Sequence, residues 1–228
     1  MTYPITSPWL TLLEQDLAFI SNVHQPLVIA HAPKNPTDDE ARYFGTTLAL
    51  WGALVDHCRA ITLLLPEGLT YPARALNRTA YETCIHLIYL TTVGDKYENA
   101  SLYETRIAAV PAEMRQRAEK IRSDRRLQWC GKTLRDMAAG IKIRQHEGAF
   151  SMLSWATHGP TYRLDMTEVN SPEEGLTYWR PDTDSEDIDV VAMHTRRTVL
   201  RPAYYLATRV FYGHTPPALP TPRPPNGY

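Results

Sequence analysis

The sequence predicts an all-α protein, a single bundle of about six to eight helices. Three observations carry this. Apolar residues recur at helical spacing through long segments that open on capping residues and close on proline or glycine. No apolar–polar alternation of the β type runs beyond a few residues. The stretch Leu69 to Val93, LTYPARALNRTAYETCIHLIYLTTV, is apolar on nearly every side from Cys84 onward, as expected of a helix in the middle of a larger packing. The bundle should span residues 1–213, and 214–228 should form a separate tail.

Length and composition fit this picture. A chain of 228 residues can bury a good core, and 43% hydrophobic residues with a net charge of −1 imply neither disorder nor the basic excess of a dedicated nucleic-acid binder. The basic residues are 19 arginines against 5 lysines. Arginine suits bidentate contacts to carboxylate and phosphate, although a GC-rich genome would produce the same skew. Cys58, Cys84 and Cys130 lie far apart without metal-ligand spacing, which reads as free thiols in a reducing compartment. MTYPITSPWL has no basic leader, and no wholly apolar run is long enough to span a bilayer. A cytoplasmic protein with no membrane partner is the expectation.

In chain order, Pro8 to Ala32 has a helical apolar period that Pro26 should kink or break. Thr37 and Glu40 spell a capping box for a long helix to Leu65, stopped by Pro66 and Gly68. Thr70 should cap the central helix, with Pro72 in its first turn and Gly94 at its end. A fourth helix should run from Asp95 to Val110, and Pro111 should open the charged segment EMRQRAEKIRSDRR, a solvated arm or a basic contact surface. Lys132 to Ile143 is amphipathic, and GAFSMLSWATHGP is a short helix closed by Gly159 and Pro160. Residues 165–189 hold nine acids and one base, Arg180, and should form a long acidic loop or lid. Ser185 should cap a last helix to Gly213, bent at Pro202. The tail TPPALPTPRPPNGY is proline-rich and should be extended.

The chemical signal lies on the central helix. Arg74, Arg78, Glu82 and His86 follow at intervals of four, so they form one slowly winding polar stripe. Arg78 and Glu82 can pair with each other. The chain has no phosphate-binding glycine loop, no GxSxG, no HExxH and no CxxC. A di-metal carboxylate bundle needs Glu-x-x-His on two helices, whereas Glu82 and His86 are four apart. Asp56 or His57, together with His158, could complete a ligand set only under an assumed packing. No metal is assigned, and the cofactor is unknown.

The run PARALNRTAYETCIHLIYL resembles the leading motif of an uncharacterised bacterial family, in which a helix carries Arg-x-x-x-Glu before apolar residues and Tyr-Leu. Trp129-Cys-Gly131 leading into a helix resembles the family's later pattern, and Ser154-Trp-Ala-Thr-His158 resembles its Ser-x-x-x-His ending. The likeness covers about 40–165 and implies polar positions at Arg78, Glu82, Ser154 and His158. Such proteins look distantly like HEPN domains, which include RNA-cleaving toxins and phage-defence effectors. Their Arg-x4–6-His spacing occurs here at Arg209 and His214. It is a spacing this composition produces by chance, and Val210 stands where the family is usually polar. The stripe is therefore the preferred site.

Two readings follow. In the first, Arg78, Glu82 and His158 are catalytic and Arg74, Tyr81 and Ser154 bind ligand. Arginine would grip an anionic group such as RNA or a nucleotide while Glu82 or His158 moves protons. In the second, the same residues form a buried network that fixes helix register in a non-enzymatic interaction module. A homodimer fits either reading.

The tail is too rich in proline to continue a helix and too poor in apolar residues for a core. Deleting residues 216–228 should leave the melting temperature unchanged in a thermal scan; a drop of several degrees would mean that the tail packs on the body.

Overall fold

The computed structural model describes residues 7–30, 32–117, 130–143, 166–171, 176–181 and 185–206, with side chains described except at 107–117, 166–171, 176–181 and 185–187. The all-α bundle is what the sequence predicts. Helix α1 (Pro8–Phe19) passes through a π-helical turn (Ile20–His24) into α2 (Gln25–Ala30). Then come α3 (Asp38–Leu64) with a 3₁₀ extension (Leu65–Glu67), α4 (Thr70–Thr92), α5 (Lys96–Arg117), α6 (Leu134–Gly140) and α7 (Ser185–Tyr205).

The π turn answers the question Pro26 poses. A proline inside an α-helix lacks its N–H and collides with the carbonyl four residues back. Here the Gln25 N–H reaches the Ile20 carbonyl, five residues back, so the backbone is widened just before the proline. The chain bulges and does not break.

Helix α3 starts on the capping box the sequence spells. The Glu40 N–H donates to Thr37 Oγ1, and the Thr37 N–H donates to Glu40 Oε2 at 2.9 Å. Gly68 at φ 70° and Gly94 at φ 67° make the turns into α4 and α5, a left-handed conformation that favours glycine. Thr70 does not cap α4. The cap position is Leu69, whose side chain makes no capping hydrogen bond, and Thr70 is buried inside the first turn. Helix α6 carries a capping box that sequence reading missed, Thr133 with Asp136, because aspartate there replaces the usual glutamate.

One proline expected to end a helix does not, and another lies inside its helix as expected. Helix α5 continues through Pro111 to Arg117, taking in the start of the charged segment, and α7 runs through Pro202. The acidic stretch is not simply a loop: Met166–Ser171 (β1) and Leu176–Pro181 (β2) pair antiparallel, with Thr167 opposite Arg180 and Val169 opposite Tyr178. Thr167, Val169, Thr177, Tyr178 and Trp179 favour strands, and the acids around them hid the pattern. The short helix expected at 149–160, most of the arm at 113–126 and the proline-rich tail lie outside the described residues.

Helix α4 sits at the centre and packs most extensively on α3 and α7. The core runs through Trp51, Leu54 and Ile61 of α3, Ile85, Leu87, Ile88 and Leu90 of α4, and Val191 and Val199 of α7. Together with its 3₁₀ extension, α3 is long and apolar enough by length and composition to cross a membrane (mean hydropathy 1.5), and in this bundle it packs as a core helix against α1, α4, α5 and α7.

Helices α1 and α7 run parallel, as three polar ties between them show. Ser7 Oγ donates to Asp189 Oδ1, Arg196 Nε donates to Asp16 Oδ2, and His24 Nε2 lies 3.2 Å from the Ala203 carbonyl. A carbonyl only accepts, so Nε2 carries the His24 proton and Nδ1 is bare. Among the described residues Nδ1 is buried without a hydrogen-bond partner, as is Nε1 of Trp51, whose ring centroid is 5.4 Å from that of His24. Burial lowers the histidine pKa, and the Ala203 contact offsets part of that. The folded state therefore holds His24 neutral while the unfolded chain takes up a proton near pH ~6.5. Stability should be full above that pH and fall as the pH drops through it. In denaturant melts against pH, His24→Gln should flatten this slope.

Candidate functional site

Helix α4 places Arg74, Arg78, Glu82 and His86 along one winding edge, as their spacing requires, and all four are half-buried. Arg78 Nε donates to Glu82 Oε1 at 3.1 Å, the expected pair. Their side chains retain 17% and 36% exposure, so solvent reaches the pair directly. The His86 ring stands edge-on to Tyr103 of α5, 6.4 Å between centroids. Tyr81 turns from the stripe into the core at 7% exposure. Burial pushes its phenol up to about 12, Cys84 adds to that, and the Arg201 charge opposes it. Tyr81 is thus a neutral hydroxyl at the stripe's inner border. His158 and Ser154, the other two expected site residues, lie outside the described residues, as do Arg209 and His214.

The remaining candidates separate. Asp56 is exposed and pairs with Arg59 at 3.5 Å, one turn along α3. Among the described residues, no three His, Cys, Asp or Glu side chains are placed to hold a metal ion. Cys58 and Cys84 are free and buried between α3 and α4. Burial raises both thiols, Cys84 to about 12, so neither is a nucleophile at neutral pH. Cys130 is free and half-buried.

The fully buried charge pair lies elsewhere, and sequence reading missed it. Asp16 of α1 and Arg196 of α7 are each 6% exposed, and the Arg196 guanidinium also stands 6.0 Å from the Trp9 ring. Desolvation raises the Asp16 carboxyl, and the hydrogen bond and charge of Arg196 pull it back. A signal was present. Asp16 falls in register with Leu13, Leu17 and Ile20, and Arg196 with Ala192, Val199 and Ala203, each a charge at a core position of an apolar period.

Fold and site define an all-helical bundle whose central helix carries a solvent-reached Arg–Glu pair and whose terminal helices are locked by a buried one. A family model matches residues 46–168, more than half of the chain, and the chain belongs to this family of unknown function (DUF5677). The matched segment contains all six expected site residues, whereas α1 and α7 lie outside it. Neither a curated protein nor a solved structure matches the chain.

The two ion pairs should respond differently to mutation. Arg196→Ala strands a buried carboxylate and should cost about 3–5 kcal/mol. Glu82→Gln leaves Arg78 in contact with water and should cost about 1 kcal/mol or less. Urea melts with unchanged denaturant slopes measure both; equal losses would show that the stripe is as structural as the α1–α7 pair.

Proposed function

We propose that the protein binds an anionic, phosphate-bearing ligand, a nucleotide or RNA, along the α4 stripe, as a HEPN-like helical protein of defence or toxin–antitoxin type. The observation that carries this reading is the accessibility of the Arg78–Glu82 pair. A pair whose only task is helix register specifies it best when sealed, as Asp16 and Arg196 are, because a slipped register then strands both charges. One that remains half-open can exchange its carboxylate partner for an incoming phosphate. Arg74, one turn earlier on the same edge, would contact a second anionic oxygen. In this reading Glu82, released from Arg78, and His158 are the groups that accept and donate protons.

The alternative is a non-enzymatic interaction module with a structural Arg/Glu/His network. The presence of a sealed network supports it in part, but that network joins α1 to α7 and leaves the stripe outside.

Isothermal titration with ATP tests the anion reading. Arg74→Ala/Arg78→Ala should weaken binding at least tenfold, about 1.4 kcal/mol, while Glu82→Gln, which removes the competing carboxylate, should leave it equal or tighter. Absence of binding to the wild type, or equal affinity in the double variant, would remove the proposal.

A further inference from the structure

Helix α7 has two faces of opposite character. Ile188, Val191, Ala192, Thr195, Val199 and Ala203 are buried against the bundle. The outer face presents His194, Arg197, Arg201, Tyr204 and Tyr205, at steps of three and four that stack them on one side of the helix over about 16 Å. Arg197, Arg201 and Tyr204 are exposed, Tyr204 by 53%, and His194 and Tyr205 are half-buried. The two tyrosine rings stand edge to face, 6.1 Å between centroids. Among the described residues neither Arg197 nor Arg201 has a carboxylate partner, unlike Arg42, Arg59, Arg78 and Arg196, each of which is paired. Two unpaired guanidiniums on an otherwise near-neutral chain mark a surface suited to an outside anion.

We propose that the outer face of α7, from His194 to Tyr205, binds single-stranded nucleic acid, with Arg197 and Arg201 on the phosphodiester backbone and Tyr204 stacking on a base. A cationic row that tracks a backbone, ending in an exposed aromatic ring, is what sequence-tolerant single-strand binding requires. An acidic protein segment would engage the guanidiniums alone, whereas a single strand engages both the cationic row and the exposed ring face. The surface adjoins α4, because the charge of Arg201 reaches both Tyr81 and Cys84. It goes beyond the α4 reading and stands on different residues.

Fluorescence anisotropy with a short fluorescein-labelled oligouridine, titrated across salt concentrations, tests the proposal. Each phosphate contact removed should lower the slope of log K against log salt by about 0.7, so Arg197→Ala/Arg201→Ala should lower it by about 1.4. Arg197→Lys/Arg201→Lys should retain the wild-type slope, which separates lost charge from a disturbed fold. Tyr204→Ala should weaken binding about fivefold or more at every salt concentration, and Tyr204→Phe should restore it. An unchanged slope in the double alanine variant, no binding of the oligonucleotide by the wild type, or poly-glutamate competing as well as RNA would each overturn the proposal. The outcomes remain distinct from those for α4. ATP binding that depends on Arg78, without RNA binding, removes only the α7 surface. RNA binding that depends on α7, without ATP binding, removes only the α4 site.

Discussion

The architecture depends on one buried ion pair, Asp16 with Arg196, joining the first helix to the last. Taking two charges out of water is expensive, and their attraction offsets that cost only in good geometry. Any slip of α1 along α7 would leave both charges buried and unmet, so the pair specifies register where apolar packing alone would tolerate shifts. Ser7–Asp189 before it and His24–Ala203 after it repeat the constraint along the seam. Both helices lie outside the family-matched segment 46–168, so these ties set how the segments flanking it close over a shared core.

Between those ends, α4 serves as both packing centre and chemical edge. One side carries Ala73, Ala80, Cys84, Ile85, Leu87 and Ile88 into the core. Asn77 Nδ2 reaches the Val191 carbonyl of α7 at 3.4 Å, a further polar contact at the α4–α7 boundary. The edge with Arg74, Arg78, Glu82 and His86 remains half open. Burial therefore divides the arginines by role. Arg196 is enclosed and holds helices together, Arg78 is intermediate and paired within its own helix, and Arg197 and Arg201 are exposed and, among the described residues, without a carboxylate partner. The same guanidinium chemistry serves stability in the first case and is available for recognition in the others.

The π turn shows how a local irregularity supports this arrangement. Widening the backbone at Ile20–His24 carries the helix past Pro26 and leaves His24 buried against Trp51 and Ala203. An uninterrupted α-helix would rotate every later side chain to another azimuth and lose the third tie to α7.

By itself the sequence determined what acts within a turn or two of chain. Helical periodicity, the Thr37–Glu40 box, the glycine stops at Gly68 and Gly94, and the Arg78–Glu82 pair are set by neighbours three or four residues apart, so they were legible without the fold. Proline read as a stop was too strong at Pro111, where α5 runs on to Arg117, whereas the last helix passes through Pro202 as its sequence implies. The hairpin at 166–181 was hidden because acids dilute the alternation and strand pairing completes the signal. The partnership of Asp16 with Arg196 crosses 180 residues. No local pattern encodes which buried charge meets which; only the packing of α1 on α7 decided it, because the cost of an unpaired buried charge acts on the folded state and not on either helix alone.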